Sequence, residues 1–480
     1  MARAGSEMQP TVVRSVVGDR MPNLPARHPA KPAVAHIVNN LLTLSLGPGI
    51  AKSELIAVMR QPERRQRLIP EGSSQEDVTR LGKLLDVIYN DGKVFGSASL
   101  SSPIFWDPRF LAFDPSDDGL SLGLWTSFGS LGQQELQEAA TEFVAGGISA
   151  ESIAELSGRI VDLIGTKDEV VGTTGERGSE PARTDEGTPF GRAVASILAS
   201  GLQRGASLSP CYRSEILRQF GVLAGGFAIL TSLYDAIAVG SSAVGVESSD
   251  EEERKDPDDA LGLVFYTGDP PGDLDDPLVE ISIQSASDVM HRAHKGVSSY
   301  FARIVQGAWA DSKDPNWDSF CANFVTSVTS GESAKLLQSR LTEVGVNGIE
   351  GIVERDLSFN HYRKLVKSLG GRTGMVVPRK SGYLRFVLET NMLTALVSYV
   401  GRPEMLVQDF VQSVNQRLGI VLGVSGLTPQ TWERLDFLAG DVTDIENTLE
   451  DAELLLKRRM IQAGLALEFS DGTTVLRGSE

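Results

Sequence analysis

Between Phe220 and Val246 the chain runs FGVLAGGFAILTSLYDAIAVGSSAVGV, a stretch whose only charged residue is Asp235. Backbone polar groups in so apolar a run must pair with one another. The run is therefore a helix, enclosed either by other parts of the chain or by a bilayer. Glycine and serine dilute its hydrophobicity, and Asp235 would sit inside the membrane, which costs several kcal/mol by roughly any scale. The reading adopted is a core helix. A membrane-attached chain is the alternative, and the spacing of Gly221 and Gly225 matches a helix-dimerising pair.

Burying such a helix needs several others around it. With 480 residues, 41% of them apolar, the chain has material for about three domains. Its 63 acidic and 45 basic residues leave a formal charge of -18. Such a surface repels phosphate, so any contact with nucleic acid must use a local basic patch. Two cysteines, Cys211 and Cys321, are too few for a disulfide framework or a cysteine-built zinc site. A reducing, cytoplasmic location is expected, and no cofactor.

Residues 1–34 mix charges and prolines with no apolar run behind them, the pattern of a disordered tail. Residues 35–164 form a mixed α/β domain. Ser73 and Glu76 stand at capping-box spacing before a helix to Tyr89, proline-punctuated aromatic runs after Gly92 suit strands, and Gly119–Leu131 adds another. Helical spacing returns over Gln134–Phe143 and Ile153–Ile164. Residues 165–188, polar and glycine-rich, are a linker.

A mainly helical domain follows over 189–350, with acidic loops at Glu247–Asp259 and at GDPPGDLDD. Leu261–Tyr266 and Leu278–Ile283 bracket the second loop as two short strands, and Ser287–Val305 resumes as a helix. The fold class expected is α+β, predominantly helical and multi-domain, with a winged-helix-like module over 351–480.

Catalytic signatures are thin. Asp288, His291 and His294 recur every third residue on a helix and could approach one metal ion, which would suit a metal-dependent hydrolase or nuclease. The spacing differs from the i, i+4 pair of zincin helices, no glutamate lies between the histidines as a general base, and polar residues on a solvated face explain them equally. Asp275, Asp276 and Glu280 have nuclease-like spacing, but Ser282 stands where a lysine would be needed. GTTGERGS at Gly172–Ser179 lacks the glycine-lysine pair of a phosphate loop, and no G-x-S-x-G elbow occurs.

The strongest polarity is near the C-terminus. From Asn360 to Leu388 there are seven basic residues, Arg363, Lys364, Lys367, Arg372, Arg379, Lys380 and Arg385, and no acid. Nucleic acid, an acidic protein partner and an ordinary solvated surface are all open as explanations. Beyond it, Met392–Val400 ends at Gly401, Pro403 opens a second helix, and Arg417–Leu422 is a helix end with a short strand.

Asp444–Ala463 then forms a long helix stopped by Gly464, and Leu465–Phe469 and Thr473–Leu476 flank a Ser-Asp-Gly turn. Helix, glycine, hairpin is the order of a recognition helix and its wing, with Lys457, Arg458 and Arg459 placed to bind. The acids Asp444, Glu446, Glu450, Asp451 and Glu453 oppose phosphate along the first half of that helix. Backbone or protein contact is favoured there over base reading.

The stretches GRTGMVVPRKSGYLRFVLETNMLTALVSYV, DFVQSVNQRLGIVLG and AGLALEFSDGTTVL resemble the C-terminal ends of large bacterial proteins encoded among antiphage defence genes, beside ATPases, helicases or methyltransferases. The resemblance covers the last third of the chain and, more loosely, Leu261–Val305, and it brings no catalytic residues with it. It implies a non-enzymatic accessory role in an antiviral or DNA-modification complex, with one of those enzymes as a protein partner and DNA as a further ligand.

Overall fold

A computed structural model describes residues 34–47, 61–67, 74–89, 120–145, 187–241, 261–268, 276–349, 351–352, 360–377, 383–439 and 444–477, with a few isolated positions. The fold is predominantly helical with a small mixed sheet. Most of the tail and of the linker, the strands expected between Gly92 and Pro115, the helix expected over Ile153–Ile164 and the interiors of both acidic loops lie outside the described residues; of the tail, Val13, Val16 and Val34 are described, and they are helical and buried. The chain divides into two compact units, one comprising Lys31–Asp117 and Trp125–Gly225, the other Met1–Ala30, Asp118–Leu124 and Gly226–Glu480.

In the first unit the helices are α1 (Val34–Leu46), α2 (Pro62–Gln66), α3 (Gln75–Tyr89), the end of α4 (Leu120–Ser127), α5 (Gly129–Ala145), α6 (Pro189–Ala206) and α7 (Pro210–Ser241) as far as Gly225. The capping box of α3 lies one residue beyond the expected Ser73 and Glu76. Ser74 N donates to Asp77 Oδ2 at 2.9 Å and Asp77 N to Ser74 Oγ at 3.3 Å. The strand expected over Gly119–Leu131 is helical. Its alternating leucines read as period 2, but Leu120, Leu124 and Phe128 are buried at i, i+4, i+8.

Glycine lets α6 pack closely against both α5 and the end of α4. A Cβ on Gly132 would come within 2.9 Å of the Ala195 Cβ, and one on Gly191 within 2.1 Å of the Ser127 carbonyl oxygen. Thr188 caps α6 by accepting from Gly191 N at 3.0 Å, with Pro189 in the first turn. Arg213 is 7% exposed and holds three helix-end carbonyls, those of Leu208, Ala206 and Phe143, at 2.9, 2.6 and 3.2 Å.

Most of the apolar run Phe220–Val246 lies in α7, where Phe220 to Ile237 are buried almost without break. By length and composition Glu215–Val239 could cross a membrane, yet most of it is enclosed by the protein. Gly221, read as half of a dimerising pair, faces Val38 and Val34 of α1.

The second unit is organised around β1 (Leu263–Tyr266). Strands β2 (Val376–Val377), β3 (Arg385–Val387) and β4 (Ile420–Val421) complete a sheet of order β2-β3-β1-β4, in which β1 is parallel to both β3 and β4, and β2 antiparallel to β3. All four are buried, as the unbroken apolar run LVFY predicts for a central parallel strand. One face carries the Phe265–Phe386 contact, with ring centroids 5.4 Å apart. On the other, Val264, Tyr266, Val377, Val387 and Val421 pack with Leu278, Val279 and Ile281 of α8 (Pro277–Asp311), Leu435 of α14 (Pro429–Ala439) and Ile445, Leu449 and Ala452 of α15 (Ile445–Gln462).

Leu278–Ile283, expected as a strand, is the start of α8. Asp276 caps the helix by accepting from Leu278 N at 2.9 Å, Pro277 opens it, and Leu278, Val279, Ile281, Ser282 and Ser285 are buried on one stripe. Ser285 Oγ accepts from Val264 N at 3.1 Å and so serves the central strand.

Helices α9 (Trp317–Val328), α10 (Gly331–Val344), α11 (Asn360–Leu365), α12 (Thr390–Val400) and α13 (Val407–Leu418) complete the unit. Pro403 does not open a helix as expected. Residues 402–405 turn, Glu404 takes a φ of 63° that costs a side-chain-bearing residue about 1 kcal/mol, and α13 begins at Val407. The sheet also crosses the boundary expected at residue 350, since its central strand precedes that boundary and its other strands follow it.

Gly191→Ala tests the contact of α6 with the end of α4. Helix propensity favours alanine by about 1 kcal/mol, whereas overpacking costs roughly 1–3 kcal/mol, so the variant should unfold at lower denaturant concentration; a higher midpoint would refute the contact.

Candidate docking surface

The last part of the chain is built as its sequence predicts. Asp444 caps α15, accepting from Asn447 N at 3.1 Å. Ile445, Leu449, Ala452, Leu456 and Met460 form the buried stripe. Gly464, at φ 71°, ends the helix, and Leu465 N reaches back to the Met460 carbonyl at 2.8 Å. Strands β5 (Ala466–Glu468) and β6 (Thr474–Leu476) then pair antiparallel across a turn in which Gly472 has φ 86°. Asp471 accepts from Thr473 N at 2.9 Å, and that bond holds its carboxyl below the usual range.

Residues 404–406 lie beside the hairpin as a third segment. Leu476 N donates to Met405 O at 2.8 Å, Glu404 N to Leu476 O at 3.1 Å, and Leu406 stands opposite Val475. Register then sorts the side chains. Ala466, Thr474 and Leu476 face inward and are buried, while Leu467 lies opposite Val475 on the other face, with Phe469 two residues further along.

Leu406, Val475 and Leu467 therefore form an apolar row across three segments, continued by Phe469. Leu406 is 38%, Leu467 48% and Phe469 54% exposed. Sequence reasoning found the hairpin and missed this face. The available signal was that bulky Leu465, Leu467 and Phe469 alternate with Ala466 and Glu468, so the larger apolar set could not all point at the helix.

The ten basic residues expected to bind are not one surface. Arg385 lies in β3, 4% exposed, with its guanidinium 5.7 Å from the Tyr266 ring centroid. Arg459 is 9% exposed and donates through Nη1 to Thr267 O and Gly268 O, at 2.7 and 3.0 Å, and through Nη2 to Leu388 O at 2.6 Å. Both belong to the interior, because the positions their strand and helix assign them face the sheet. Lys457 braces the hairpin, donating to Gly472 O at 2.9 Å and pairing with Glu468 at 3.3 Å.

Arg379 and Lys380 lie outside the described residues. Arg363, Lys364 and Arg458 are exposed, and Lys367 and Arg372 half-buried. The exposed stripe of α15 carries Glu446, Glu450 and Asp451 against Arg458 alone. Phosphate is repelled along most of it.

Asp288, His291 and His294 do not converge as a metal site. Asp288 Oδ2 accepts from Arg292 Nε at 2.8 Å and from Arg434 Nη2 and Nε at 3.0 and 3.2 Å, while His294 is buried and His291 exposed. The two histidines stand about 60° apart around α8, and that is enough to put His294 on the packed side and His291 in solvent. The pair of guanidiniums is also linked to the sheet, since Arg292 Nη2 donates to Leu261 O at 2.6 Å. Burial and the Arg434 charge bring the Arg292 pKa down to about 10. Among the described residues no three His, Cys, Asp or Glu side chains form a metal-holding group.

Neighbouring residues on α15 make a sharp comparison. Arg459→Met strips three buried carbonyls of their donor and should cost roughly 2–4 kcal/mol, whereas Arg458→Met should change stability by less than about 0.5 kcal/mol; equal effects in chemical denaturation would contradict the placement. Compared with protein-family models and with curated proteins, the chain matches none.

Proposed function

We propose that this chain is a non-enzymatic accessory component of a bacterial antiviral defence or DNA-modification complex in the cytoplasm. Its C-terminal module is winged-helix-like, acts as one domain of a multi-domain protein, and docks a protein partner through the outward face of the hairpin. The observation that carries the reading is the contiguous apolar row of Leu406, Val475, Leu467 and Phe469. Exposed apolar side chains that adjoin one another mark binding surfaces, whereas scattered ones do not.

The order α13, β4, α14, α15, β5, β6 supports the winged-helix assignment, with one departure: β4 pairs with β1 and residues 404–406 take its place beside the hairpin. The resemblance to antiphage-associated proteins supports the setting, and an ATPase, helicase or methyltransferase is the expected partner.

DNA contact is a second reading, favoured by the exposed Arg363 and Lys364 in a segment without acids. It would run along the phosphate backbone and weaken steeply with salt. Duplex binding by the full chain, measured across a salt series, tests it; absence of binding at low salt removes DNA from the proposal.

The docking face is tested by Leu467→Asp with Phe469→Asp, both outward and exposed. The double variant should fold with a stability within about 1 kcal/mol of wild type and lose co-purification with the product of a neighbouring gene. Retention of the partner by the folded variant would overturn the assignment.

A further inference from the structure

Three arginines are buried within the described residues, and they are treated differently by the fold. Arg213 and Arg459 each direct their guanidinium at three backbone carbonyls. Arg385 has the lowest exposure of the three, at 4%, and its close partner among the described residues is the face of the Tyr266 ring. Among the described residues its Nε is sealed from solvent with no acceptor. Asp276 acts on it only through space.

A guanidinium stacked on an aromatic ring keeps its in-plane donors available, and those donors form a fork matched to two oxygens of one anion. Leaving a buried charged donor unmet costs roughly 1–3 kcal/mol or more, so a position that retains one calls for an acceptor from elsewhere. An anion suits the position: among the described residues no carboxylate lies within ion-pair distance of Arg385, and Asp276 reaches it only from further away.

We propose that Arg385, stacked on Tyr266, is the anchor of an oxyanion-binding subsite at the β3 side of the sheet, taking a phosphate or carboxylate group in the plane of its guanidinium. This site is separate from the hairpin face and does not depend on the docking assignment. Tyr266 is a positioning residue within it.

The full chain is titrated with inorganic phosphate and, separately, with acetate at constant ionic strength, following thermal unfolding and binding heat. Saturable stabilisation by phosphate, by acetate or by both supports the subsite and tells which oxyanion chemistry it takes. Arg385→Met should weaken the effective anion by about tenfold or more, the equivalent of about 1.4 kcal/mol. Arg385→Lys keeps the charge without the fork and should fall between the two; it also serves if the methionine variant does not fold. No saturable response to either anion, or an equal response in both variants, overturns the proposal.

Discussion

The second unit depends on a strand of four residues. Leu263–Tyr266 pairs in parallel with Arg385–Val387 on one side and Ile420–Val421 on the other. With β1 absent, β3 and β4 could not share a sheet, because they pair on opposite sides of it. Parallel pairing also forces long connections, so the helices between the strands are brought over the sheet by the pairing itself. Ser285 of α8 and Arg459 of α15 then fasten those helices to the ends of β1.

Buried guanidiniums recur as fasteners. In the first unit Arg213 ties the carbonyl ends of two helices to the start of a third, and in the second Arg459 ties the ends of β1 and β3 to α15. Carbonyl groups at helix and strand ends have no regular partner, and five donors in a rigid plane meet several of them at once. Arg292 and Arg434 share the carboxylate of Asp288 instead, joining α14 to α8. A basic residue count therefore overstates the basic surface of this chain, and the acidity of the remainder is felt more strongly at exposed places such as α15.

Local chemistry was the legible part. The helix-ending Gly464, the hairpin turn at Asp471–Gly472, the strand at Leu263–Tyr266 and the helix ending at Gly401 follow from residues within one or two turns of each other. Where two local readings competed, period was the weak point. The leucines at 120, 122 and 124 fit a strand, and only burial at i, i+4 shows a helix; Leu278–Ile283 fits both, and the cap at Asp276 decides. Pro403 was a helix start by rule, but Glu404 in the left-handed region turns the chain first.

The sequence by itself determined the helices that carry a clear cap or stop, that one long apolar helix must be enclosed, and that a hairpin follows the last helix, because capping and turn chemistry act over a few residues. Only the tertiary structure decided which charges reach solvent. Arg385 and Arg459 differ from Arg363 and Arg458 in no property of their own; they differ in the face of the strand or helix they occupy and in what packs on it. The same holds for Leu467 and Phe469, apolar residues left exposed because α15 already fills the opposite face of their hairpin.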